Sequence, residues 1–113
     1  MATEVNTDIF EREVVQSEVP VLVDFWGPQC APCLALMPRV EGLAERYGEK
    51  LKIAKVDASK NRRLCLNLKV FGLPTFLFYK NGKEVERLSG NSLRIEEIEE
   101  AVKKIIRCEQ AEL

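Results

Sequence analysis

Apolar and polar positions change period several times along this chain, and each change marks an element. Val19 to Trp26 is apolar on both faces except at Asp24, the pattern of a central strand covered by helices on both sides. From about Ala31 to Tyr47 the period lengthens. Cys33, Met37, Val40, Ala44 and Tyr47 share one helical stripe, and Gly48 follows where a left-handed stop belongs. Met37 and Tyr47 read as core. Pro38 removes one backbone hydrogen bond from this helix and should kink it. Lys52 to Asp57 is a second buried strand, followed by a short helix over Ser59 to Asn67 with Leu64 facing inward and Leu68 just beyond it on the same side. Thr75 to Lys80 and Lys83 to Ser89 are strands joined by Asn81-Gly82, a strong type I′ hairpin signal. Charges at Lys83, Glu84, Glu86 and Arg87 suit a protected sheet edge. A last helix, about Ser92 to Arg107, carries Ile98, Ala101, Val102, Ile105 and Ile106 on one stripe, with acids early and Lys103, Lys104 and Arg107 late, as its dipole prefers. Near the start, Thr3 to Val5 reads as a short edge strand. Asn6 or Thr7 then caps a helix with Phe10 and Val14 on one face, which Ser17 to Pro20 ends. This order predicts an α/β fold: a central mixed sheet of about five strands flanked by four helices.

Where the central strand breaks at Gly27-Pro28, a helix begins with Cys30 and Cys33 in its first turn. That spacing puts both thiols on one side of the turn, close enough to close and reopen a small disulfide ring. Unpaired N–H groups and the positive end of the helix dipole favour thiolate over thiol at Cys30. Two other readings stand beside this redox pair: half of a zinc site, or a static structural disulfide. Zinc lacks a second ligand pair, because Cys65 and Cys108 are isolated and the chain has no histidine. Asp24 is the anomaly of the strand. A carboxylate buried there should have a raised pKa and act as an acid/base beneath the dithiol, unless it caps the nearby helix.

Composition narrows the setting. With 113 residues the chain is expected to form a single domain over residues 1–113. A net charge of −1 argues against a nucleic-acid or membrane partner, and Arg62-Arg63 reads as a solvated helix face. The N-terminus lacks a basic, then apolar, signal pattern, and no apolar run approaches the ~20 residues of a membrane span. The expected compartment is cytoplasmic, where thiols rest reduced. Cys65 reads as a core residue and Cys108 as a more exposed one.

At Asp24-Phe25-Trp26, Cys30-Ala31-Pro32-Cys33, Pro38, Lys55, Asp57, Gly72-Leu73-Pro74-Thr75, Asn81-Gly82 and Gly90 the sequence resembles the thioredoxin family, in the family's order and from about Thr7 to about Ile106. The resemblance implies the thioredoxin fold and a protein-disulfide reductant. In it Cys30 attacks a substrate disulfide, and Cys33, deprotonated with the help of Asp24, resolves the mixed disulfide. It implies that Lys55 lies near Asp24 and tunes it, although a strand-end lysine reaching solvent is the alternative. It implies a cis Leu73-Pro74 bond facing the cysteines, with the Leu73 backbone turned toward an incoming strand. Trp26, Gln29, Ala31, Pro32, Leu73, Pro74 and Gly90 would shape the docking surface, although Gly90 could equally be the turn before the last helix. No metal or organic cofactor is implied. The implied partners are protein disulfides and an NADPH- or ferredoxin-linked thioredoxin reductase, met by a monomer.

Ala31-Pro32 is closer to the Gly-Pro of reducing thioredoxins than to the His-bearing pairs of oxidants, so the couple should lie near thioredoxin's value of about −270 mV. Two positions depart from the family. Gln29 stands where Trp is usual, and Leu34 where Lys or Arg is usual. Both changes should alter partner choice while leaving the thiol chemistry in place. The competing classes are a non-catalytic adaptor using the same groove, and a disulfide oxidase or isomerase.

Overall fold

Five strands form one sheet in the computed structural model, which describes residues 2–111, with side chains through residue 106. Strand β1 (Ala2–Glu4) lies at one edge, parallel to β3 (Lys52–Asp57), and β3 is parallel to the central β2 (Val21–Trp26). On the other side β4 (Thr75–Lys80) runs antiparallel to β2, and β5 (Lys83–Ser89) antiparallel to β4. The mixed sheet is the one the alternation of periods predicts.

Both faces of β2 are covered. Val21, Val23 and Phe25 pack with Phe10, Val14, Ala54, Val56 and Leu64 on one face. Leu22 packs on the other with Val40, Leu43 and Ala44 of α1 (Ala31–Tyr47), and with Ile98, Val102 and Ile105 of α3 (Ile95–Ala111). Each fully buried Val, Leu or Phe contributes about 1.5–3 kcal/mol, which is why the strand tolerates one misfit, Asp24. Helix α2 (Arg62–Leu68) and the first helical stretch cover the face opposite α1 and α3.

The helices depart from the predicted ones in detail. The first is a short π-wound stretch, Glu11–Val15. Asn6 does cap the preceding turn, its side-chain oxygen accepting the Ile9 N–H at 3.1 Å. Thr7 instead donates its N–H and hydroxyl to Asn61 Oδ1 at 2.9 and 3.0 Å. The amide of Asn61 in turn donates to the Asp57 carbonyl at 2.9 Å. A 3₁₀ turn, Ala58–Lys60, precedes α2. Helix α1 continues through Pro38 and ends at Gly48, whose φ of 55° is positive but whose ψ of −127° is not that of a left-handed stop. Leu43 is buried although the periodic stripe omitted it, while Met37 and Tyr47 are only half-buried. Helix α3 starts at Ile95, with Glu97 accepting the Arg94 N–H at 2.9 Å. It runs on to Ala111, so Lys103 and Lys104 lie inside the helix and not in its last turn.

The hairpin turn has φ values of 55° at Asn81 and 80° at Gly82, as a type I′ turn requires. A side chain at Gly82 would meet the Val15 carbonyl, 3.1 Å from the added Cβ.

Candidate active site

The loop after β2 carries the chemistry. Gly27 is buried against Leu73, and a Cβ added there would lie 3.1 Å from the Leu73 side chain. Lacking one, the loop can press onto the segment before β4. Cys30 then caps α1. Its N–H donates to the Gly27 carbonyl at 3.1 Å, and its sulfur accepts the Cys33 N–H at 3.3 Å. Cys30 and Cys33 are disulfide-bonded, with Cα atoms 5.2 Å apart. The two sulfur-bearing residues differ in access: Cys30 is partly exposed, whereas Cys33 is 1% exposed. Ala31 and Gln29 are exposed beside them, and Pro32, without an N–H, occupies the first turn.

Asp24 follows Leu22 by two residues on β2, which turns its side chain to the face covered by α1. It is 1% exposed, and neither carboxylate oxygen has a hydrogen-bond partner, so it caps no helix. Burial pushes its pKa from 3.8 to about 7, against the lowering pull of the Lys55 ammonium, with Glu41 and Glu4 adding to the rise. Lys55 is the register neighbour of Asp24 on β3, but its ammonium bonds Glu41 of α1 at 2.7 Å. The lysine is therefore neither free in solvent nor hydrogen-bonded to the aspartate. Glu41 escaped the sequence reading, although Cys33, Met37 and Glu41 at four-residue intervals put an acid on the inward stripe.

The Leu73-Pro74 bond is cis. Pro74 is buried, and its carbonyl accepts the Gly90 N–H at 3.1 Å, which places Gly90 directly beside it. Among the described residues the Leu73 main chain makes no hydrogen bond. A cleft of about 850 Å³ opens beside Cys30, lined by Gln29, Cys30 and Leu73 and, from α2 and the segment after it, by Arg62, Leu66 and Phe71. Trp26, Ala31, Pro32 and Pro74 do not line it, and Gly90 borders a smaller hollow of about 350 Å³ that shares Leu73 with it. The Trp26 indole N–H is buried without a partner. Cys65 is a free thiol in the core, its pKa raised by burial, and it lines the cleft from α2. The expectation of an exposed Cys108 falls outside the described side chains. Among the described residues no three metal-ligating side chains come together.

Residues 1–104 match the family model described as Thioredoxin. The chain is 43% identical over 103 residues to a thioredoxin of Acetoanaerobium sticklandii, covering 91% of this chain and 98% of the relative. It is 39% identical over 104 residues to a thioredoxin of Peptoclostridium acidaminophilum, covering 92% and 94%. It is 43% identical over 82 residues to the chloroplastic thioredoxin X of Arabidopsis thaliana, covering 73% of this chain and 45% of that one. The chain belongs to the thioredoxin family. The sheet and helices described above are the thioredoxin fold, and Cys30 and Cys33 form a close Cys-x-x-Cys pair within the matched span. The protein is a thiol–disulfide oxidoreductase of the protein-disulfide reductase kind. Family membership implies disulfide substrates and a reductase that renews the dithiol. Among the described residues no helix is long and apolar enough to cross a membrane.

Proposed function

We propose that Cys30 is the attacking thiol and Cys33 the resolving one. The Cys30 thiolate attacks one sulfur of a substrate disulfide, forming a Cys30–substrate disulfide and releasing the first substrate thiolate, which takes up a proton. Cys33 then loses its proton and attacks the Cys30 sulfur. The internal disulfide forms and the second substrate thiol leaves, so two electrons and two protons pass to the substrate. The observation that carries this assignment is the contrast within the pair: a reachable sulfur at the helix N-terminus and an enclosed one three residues further along α1. Asp24 takes the Cys33 proton, a role suited to a carboxyl that titrates near pH 7. Lys55 tunes that carboxyl.

The substrate segment lies extended across Leu73 and pairs with its unbonded main chain, while Gln29, Ala31, Pro32, Trp26 and Gly90 form the surrounding surface and Pro74 lies buried next to Leu73. In this reading a single domain over residues 1–113 works as a monomer. An NADPH- or ferredoxin-linked thioredoxin reductase renews the dithiol in a reducing, cytoplasmic setting. The test is a trap. Cys33→Ser, incubated with a disulfide-bonded protein, should accumulate a mixed disulfide that mass spectrometry maps to Cys30, while Cys30→Ser should accumulate none. Accumulation on Cys33 in the Cys30→Ser variant at the same rate would reverse the assignment.

A further inference from the structure

The wall of the cleft opposite the dithiol loop has a charge and an apolar surface that the reductase chemistry does not use. From Ala58 to Leu73, the stretch that supplies this wall, the chain holds four basic residues and no acidic one, although it is slightly acidic overall. Lys60, Arg62 and Arg63 are all exposed at the start of α2. Arg62 lines the cleft, no acid lines it, and among the described residues Arg62 has no ion-pair partner. Phe71 is 77% exposed and Leu66 65% exposed. Of the four large apolar side chains exposed among the described residues, these two line the cleft that holds Cys30. On the dithiol loop, meanwhile, Gln29 presents an amide where the family usually has an aromatic. The apolar contact and the cation thus both come from α2 and the segment that follows it.

We propose that this cleft selects protein disulfides whose cysteine is flanked by an acidic side chain, which pairs with Arg62, and by a bulky apolar one, which covers Leu66 and Phe71. The occupant is an extended segment of the substrate protein. Charge complementarity specifies the acid: an unpaired guanidinium on a wall without carboxylates attracts an anion and repels a lysine. The exposed phenyl ring supplies the area that holds the segment while the sulfurs exchange. The inference rests on the reductase reading and names the substrate class for the same site.

The test uses disulfide-bonded peptides that differ only in one residue, Glu, Gln or Lys, placed in turn at several positions flanking the cysteine. The full-length protein should reduce the best-placed Glu peptide with a kcat/KM about threefold above its Gln counterpart, the size expected of a partly exposed ion pair. The Lys peptide should be slower than both, and high salt should level the series. Arg62→Gln should abolish the preference, and Arg62→Glu should invert it in favour of Lys. Phe71→Ser should slow peptides carrying a bulky apolar flank several-fold more than those carrying alanine. Equal rates for Glu, Gln and Lys at every position, or a preference that survives Arg62→Gln, would overturn the proposal while leaving the reductase reading intact, since the neutral peptide is still reduced. Failure to reduce any of the peptides would remove the reductase reading, and this proposal with it.

Discussion

A carboxyl group with both oxygens buried and unpaired is costly to ionise, and Asp24 is in that position. Its folded pKa of about 7 lies above the ordinary 3.8, so the folded chain holds this proton more tightly than the unfolded one. The associated stability is complete below about pH 4, falls as pH rises toward 7, and levels off above that, a range of about 4 kcal/mol at most. Asp24→Asn should therefore be more stable than the parent in urea unfolding at pH 8, with the difference vanishing toward pH 4. A difference that does not change with pH would contradict this account. Glu41 acts on the same carboxyl from α1, by its own charge and by holding the Lys55 ammonium at 2.7 Å. Glu41→Gln removes the repulsion and frees the lysine, so the Asp24 carbon NMR titration should move to lower pH, and in a Lys55→Met background the movement should shrink. An unmoved midpoint would exclude Glu41 from this role. Asp24 was legible in the sequence because one acid in an apolar strand has nowhere to hide. The direction in which Lys55 points was not, because it depends on a helix residue brought alongside by the fold.

Long elements were readable because burial fixes their period, and short ones were set by contacts that no local pattern contains. Strand β3 and helix α1 lie where the alternation puts them, and the Asn81-Gly82 turn follows from the positive φ that both residues tolerate. The first helix shrank to a π-wound stretch whose preceding turn is tied to the start of α2 by Asn61, 54 residues away from Thr7. Asn61 is buried and bonds Thr7 twice and the Asp57 carbonyl once. Asn61→Ala should thus destabilise the protein by about 1–3 kcal/mol, since it leaves buried groups without partners. Denaturant unfolding checks this, and a loss under 0.5 kcal/mol, the scale of an ordinary surface change, would show that the link is not structural. The cationic start of α2 was visible as residues but not as a surface. Only the fold sets Arg62, Leu66 and Phe71 around the cleft that reaches Cys30.

Across the whole molecule, the proposed site draws on three pieces: the dithiol at the start of α1, Asp24 buried within β2, and the Leu73 segment before β4. Gly27 lets the first and third touch. The fold therefore presents one sulfur and shields the other, which is the arrangement a protein-disulfide reductant needs. The measurement that tests this most directly is reduction of insulin driven by dithiothreitol, followed by the turbidity of the freed chains, with the parent protein, Cys30→Ser and Cys33→Ser side by side. The parent should accelerate the reaction strongly and Cys30→Ser should fall to the rate of dithiothreitol alone. A Cys30→Ser variant as active as the parent, or a parent no faster than the uncatalysed reaction, would contradict the account.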